Sequence, residues 1–208
     1  MRRITTLLTL CLALVAMPMS ASAQFDLSKL FGGYKSKTTT TTTTNDPYKK
    51  LAESAPAASA LEGVWSYDSA SFSYVGSNPL AQMAVAQLDP VMADVLRQMG
   101  VTQGSAQLKL KGGKGTITHG KQSLAGEYRY TRSTAGVVAS TTIDGRKISA
   151  SGYVKCSGGK LTVMLDVKQM IAAIKTVFPE YAKDQNIILV ETLLRDIGDV
   201  YVVGRFVK

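Results

Sequence analysis

The stretch Leu61-Glu62-Gly63-Val64-Trp65-Ser66-Tyr67 decides the fold. It holds the only tryptophan of the chain and stands where a Thr/Ala/Ser/Pro-rich segment gives way to short segments of alternating polarity. From Gly63 the side-chain period is two, as in a strand with one face buried and one face wet.

Working outward, Gln107-Leu108-Lys109-Leu110-Lys111 puts two leucines on one face and two lysines on the other. Gly112-Gly113-Lys114-Gly115 then turns the chain into Thr116 to His119. Glu127 to Thr131 alternates tyrosines with charges, and Val137 to Ile143 joins Lys147 to Cys156 through Asp144-Gly145, a strong hairpin signal. In that second segment Ile148, Ala150, Gly152, Val154 and Cys156 share the inward face. Ser157-Gly158-Gly159 leads into Leu161 to Leu165, and Val200 to Val207 is the last strand. With Gly63 to Val75 as the first, this makes about eight antiparallel strands. The class is mainly β (α+β), an antiparallel meander barrel with helical insertions after the first strand and before the last.

Those insertions have helical spacing. Pro79 to Met99 carries Leu80, Ala84, Leu88, Met92, Val95, Leu96 and Met99, and Asp89-Pro90 inside it reads as an N-cap with proline at the first helical position. Asp166 caps a second helix whose stripe is Val167, Met170, Ile171, Ile174, Val177 and Phe178, stopped by Pro179. A further helix is expected over about Asp184 to Asp196. These apolar faces need cover, and the barrel mouth or its outer wall is the surface that offers it.

Residues 1–23 read as a signal peptide: Arg2 and Arg3, an apolar run from Ile4 to Met17, and Ala21-Ser22-Ala23 before Gln24. The run is shorter than the roughly 20 residues a bilayer span needs, so an exported, periplasmic or envelope-associated protein is expected. Residues 24–60 read as a flexible segment and linker that includes Phe25 to Phe31 and the threonine run Thr38 to Thr44, and 61–208 as the folded domain. The chain has 24 Lys/Arg and 15 Asp/Glu; losing Arg2 and Arg3 leaves 22 against 15, or +7. Ten of the bases lie between Ser105 and Lys160, opposed only by Glu127 and Asp144. Solvated strand faces are the plainer account, and an anionic envelope component is the alternative partner. No motif for nucleic acid is present.

The Gly63-x-Trp65 opening, the meander and a final strand able to pair back with the first resemble the lipocalin-like superfamily. The order L-x-G-x-W-x-Y, then Gly126-Glu127-Tyr128 mid-chain, then Gly198 to Phe206 at the end is similar to a family of exported bacterial lipocalin-like domains of unknown function. The resemblance implies a basic side chain packed over Trp65, with Arg205 the candidate, so that Gly63, Trp65 and Arg205 are structural. It implies no known activity.

Catalytic constellations are not seen. His119 is the one histidine and the mature chain retains one cysteine, Cys156, which excludes an internal disulfide and argues against a metal site. The segment Gly120 to Gly126 lacks the spacing of a serine-hydrolase elbow, and the carboxylates Asp89, Asp144, Asp166 and Asp199 sit at caps and turns. Asp68-Ser69-Ala70 matches a short O-glycosylation acceptor pattern. A non-enzymatic module without cofactor is expected, with Trp65, Tyr67, Met83, Met92, Tyr128 and Tyr130 as candidate contacts for a small hydrophobic or amphipathic ligand. The alternative is an envelope scaffold whose barrel is filled.

Overall fold

The computed structural model describes residues 47–76, 78–183, 187–188, 191–192, 194 and 199–208. Eight strands form one closed barrel in sequential order: β1 Gly63–Val75, β2 Ala106–Lys111, β3 Lys114–His119, β4 Gln122–Thr131, β5 Gly136–Ile143, β6 Arg146–Ser157, β7 Lys160–Asp166 and β8 Asp199–Val207. All neighbours are antiparallel, and β8 closes the sheet by pairing with β7 on one side and β1 on the other. The first strand has the bounds its alternation suggested.

Three of the tight connections need left-handed backbone, and the sequence places glycine at five of the six positions, with Asp144 the sixth. Gly112 and Gly113, Asp144 and Gly145, and Gly158 and Gly159 all have positive φ, as two-residue hairpins of the twisted type require. Gly152 has a different role. A Cβ built there would lie 1.7 Å from the carbonyl oxygen of Met164, so the bare backbone is what lets β6 and β7 approach. Its small size serves the contact between the two strands.

The two ends of the barrel are closed differently. At the base, Trp65 and Leu61 are fully buried among Leu108, Leu110, Val154 and Leu161. Two short helices lead into it, α1 (Pro47–Glu53) and α2 (Ala58–Leu61). Residues 47–60 are therefore not a free linker. Tyr48 Oη donates to Asp199 Oδ2 at 2.5 Å, Tyr130 Oη donates to the Pro56 carbonyl at 2.7 Å, and Leu51 is buried. Tyr48 also packs with Tyr153, Tyr201, Met164 and Val203 on the outer wall, which orders a composition that looked too polar to fold alone. Residues 1–23, Phe25 to Phe31 and Thr38 to Thr44 lie outside the described residues.

At the opposite end lie α3 (Pro79–Ala86), α4 (Asp89–Gln98) and α5 (Val167–Val177). The break at Asp89 falls where the sequence placed it, though the cap does another job. Asn78 caps α3 through Leu80 and Ala81 N–H groups, whereas the Asp89 carboxylate accepts the N–H of Phe72 in β1 at 2.6 Å. That contact has a reason: β1 pairs with β2 only over Gly63–Ser66 and bends at a bulge between Tyr67 and Ser69. Beyond the bulge, helix replaces strand beside it. Asp166 caps α5 by accepting from the Gln169 N–H, and the expected stripe (Val167, Met170, Ile171, Ile174, Val177) is buried against Phe72, Ile143, Val200 and Val202. Of the segment expected as a further helix, Ile187, Ile188, Glu191, Thr192 and Leu194 are described and helical; the rest lies outside the described residues.

Gly152→Ala should lower stability by about 1–3 kcal/mol through overpacking, whereas Gly158→Ala, whose Cβ meets no atom within 4 Å, should cost only the smaller penalty of left-handed backbone. Urea denaturation of both variants checks the order.

Candidate functional site

Between the Trp65 base and the helical end lies a cavity of about 330 Å³. Its floor is set by Leu61, Leu108, Leu110 and Phe206, its walls by Ile117, Tyr128, Ala150 and Val202, and its roof by Leu96, Val101, Met170, Ile174 and Val177. Alternation explains the wall, since inward positions of the strands carry Leu, Ile, Val, Ala and Gly. Helix spacing explains the roof, because Met170, Ile174 and Val177 lie on one face of α5.

Of the six candidate contacts, Tyr67 and Tyr128 line the cavity. Trp65 does not; it is sealed in the base, its Nε1 donating to the Leu61 carbonyl at 2.8 Å. Tyr130 is held at the base by its bond to Pro56. Met92 is wholly buried among the packed helical residues, and Met83 is 64% exposed on α3. Neither methionine belongs to the lining: among the described side chains of Pro79 to Met99 the one that reaches the cavity is Leu96. Met170, Ile174 and Val177 were legible as a buried stripe, but nothing in the sequence said that the stripe faces unfilled space.

The cation over Trp65 is Lys208, with Nζ 4.5 Å from the ring centroid. Arg205 is not the partner. It occupies an outward position of β8, where its Nη1 donates to Ser71 Oγ at 2.8 Å. Phe206, one step on, takes the inward direction and packs edge-on against Tyr67 with centroids 6.0 Å apart. Gly63, with φ +133°, lies beside the Lys208 side chain, so the glycine, tryptophan and lysine form one corner.

Burial governs the ionisable groups. It raises Tyr67 above the ordinary phenol, with the neighbouring Asp68 adding and Arg205 opposing. It raises Tyr128, against a hydrogen bond with the Gly113 backbone and with a small addition from Glu62. Tyr130 and Tyr201 are raised mainly by burial, and Tyr48 by burial and then by its bond to Asp199. The Cys156 thiol is pushed up by burial, with Lys208 in opposition, and donates weakly to the Ala60 carbonyl at 3.3 Å. A raised thiol is a poor nucleophile at neutral pH.

His119 is half-buried at the end of β3 with Nε2 3.1 Å from the Gly100 carbonyl. Among the described residues no three His, Cys, Asp or Glu side chains are placed to share a metal ion. Ser69 sits at the β1 bulge, bonded to Asp68 Oδ2 at 3.1 Å. The ten bases between Ser105 and Lys160 are all exposed. No described helix is long and apolar enough to cross a membrane.

Two outcomes follow. Lys208→Met should cost about 0.5–1 kcal/mol by loss of the cation from the indole face, and Arg205→Ala should stay within about 0.5 kcal/mol as a surface change; chemical denaturation separates them. Each raised tyrosine holds its proton more tightly folded than unfolded. Its stabilising contribution is therefore full below pH 10, the ordinary phenol value, and is lost as pH rises through the folded pKa. Stability measured across this range should fall above pH 10, and Tyr67→Phe should lessen the fall.

The family described as Lipocalin-like domain (DUF4923) matches residues 35–206. No curated protein and no solved structure gives a match. The match begins before the first strand and so takes in the packed helices α1 and α2. With a closed eight-stranded barrel, a Gly-x-Trp base and a family match over most of its length, this chain belongs to the lipocalin-like DUF4923 family.

Proposed function

We propose that this domain is a non-enzymatic binding module that holds one small hydrophobic or amphipathic molecule inside the barrel. The carrying observation is the cavity of about 330 Å³ with its almost wholly apolar wall. That volume lies at the lower end of the range for ligand sites, which suits a compact ring system or a short chain. Apolar surface left without packing partners forfeits dispersion energy that a ligand restores. The scaffold alternative rests on a filled barrel, and the cavity weighs against it. The Arg2–Arg3 opening, the apolar run and Ala21-Ser22-Ala23 support export to the periplasm or envelope.

The test is titration with N-phenyl-1-naphthylamine, an uncharged dye that fluoresces on entering apolar surroundings. Wild type should give saturable one-site binding. Ala150→Leu, which adds bulk to the cavity wall, should weaken it at least about tenfold, equivalent to about 1.4 kcal/mol, with the circular dichroism spectrum retained. Absence of saturable binding, together with no small molecule in native mass spectra of protein from its own host, would sink the proposal.

A further inference from the structure

The charges of the barrel are divided between its two ends. The connections β2–β3, β4–β5 and β6–β7 fall at the Trp65 base, whereas β3–β4, β5–β6 and both helical excursions fall at the other end. Each base-end connection carries exposed bases: Lys111 and Lys114 at the first, Arg132 at the second, Lys155 and Lys160 at the third. Acids collect at the helical end, with Asp89 and Asp94 on α4, Asp144 in the β5–β6 turn, and Asp166 and Asp199 at strand ends. At the base, Glu62 accepts the Gly112 N–H and Glu127 lies across from Lys114 in the ladder.

The two groups of cations are also engaged differently. At the helical end Arg97 pairs with Asp94 at 2.7 Å, Lys175 pairs with Glu191 at 2.9 Å, and Arg146 donates to the Thr176 and Val177 carbonyls of α5. Lys121 and Lys147 are unpaired there among the described residues, but they share that end with the acids. At the base, the side chains of Lys111, Lys114, Arg132, Lys155 and Lys160 make no ion pair or hydrogen bond among the described residues. Lys111 and Lys114 even stand directly opposite each other, an arrangement of like charges that costs stability. Lysines that guard open edges would account for such residues in an open sheet. This sheet is closed and has no edge to guard.

We infer that the base end is a docking face for a lipid bilayer with anionic headgroups. The three hairpins stand at separate positions round the ring of strands, so their bases form an array across the end of the barrel. A plane of negative charges meets all three positions at once, whereas a linear polyanion crosses one or two. Each base brought to such a surface strengthens adsorption about fivefold. Between the hairpins α2 exposes Ala58 and Ser59, which are short and uncharged, so the long basic side chains make first contact. Val64, 50% exposed beside Lys109 near the same rim, adds an apolar contact at headgroup depth that a polysaccharide would leave in water. This inference is independent of the cavity and of what it holds. In the docked orientation the helical end, with its acids, faces away from the lipid.

The experiment is co-sedimentation of the chain from Gln24 onward with phosphatidylcholine vesicles containing about one third phosphatidylglycerol. Wild type should bind these and stay in the supernatant with vesicles of phosphatidylcholine alone. Raising salt from about 0.1 to about 1 M should release it, because the screening length falls from about 10 to about 3 Å. Lys111→Gln with Lys114→Gln, Arg132→Gln and Lys160→Gln should weaken binding at least about tenfold. The same loss of charge at the helical end, Lys121→Gln with Lys147→Gln, Lys168→Gln and Lys183→Gln, should change it less than about twofold. Should the fourfold base variant lose its circular dichroism spectrum, Lys111→Gln with Lys160→Gln gives the same reading, at least about fivefold. Equal weakening by the two sets would overturn the base as the docking face, since net charge alone would then account for binding. No binding of wild type to the anionic vesicles would overturn the bilayer as partner. Complete displacement from the vesicles by polygalacturonate at matched charge would overturn it too, and would assign the face to an acidic polysaccharide.

Discussion

The structure depends on β8 finding two partners. A meander of seven strands has two open edges, each presenting unpaired backbone groups that cost stability if buried and invite association if exposed. β8 removes both edges at once, pairing along β7 from Lys160↔Val207 and along β1 from Ser66↔Val207 to Val75↔Asp199. Closure fixes which side chains point inward, and from that follow the Trp65 base, the apolar walls and the space between them. The helical excursion between β7 and β8 is compatible with closure because α5 lays its stripe over the barrel end and returns the chain to the correct edge.

That the cavity persists is a consequence of how the helices cap. α4 and α5 each bury one stripe, and a stripe laid across an opening covers it without descending into it. Met92 and Ile171 are spent on packing helix against wall; Met170 and Ile174 look down into the interior. Filling the barrel would take a side chain as large as Trp65 at mid-height, where the wall instead carries Ala139 and Ala150.

Legibility in the sequence followed the range of the interaction. Strands and hairpins were readable because alternation and positive-φ glycines are local; the bounds of β1 and the turns at Gly112 and Gly158 needed no knowledge of neighbours. The base corner was half readable. Gly63 and Trp65 announced themselves, but which cation reaches the indole depends on register after the β1 bulge, where Arg205 turns outward and Lys208 comes round. The lining was less readable still. Tyr67 and Tyr128 share a strand position type with Tyr130, yet Tyr130 is taken by Pro56, a residue 74 positions away.

The segment from Pro47 to Leu61 bears on how load enters the fold. The chain is fastened to the outer wall at Tyr48, through Asp199 and the ring of Tyr153, well before it reaches the first strand. Tension arriving from the N-terminal side falls on that fastening and on Leu51 first, leaving the β1–β8 seam slack. If the preceding residues tether the domain, α1 and α2 act as a strain relief, and the barrel can be pulled upon without being prised open.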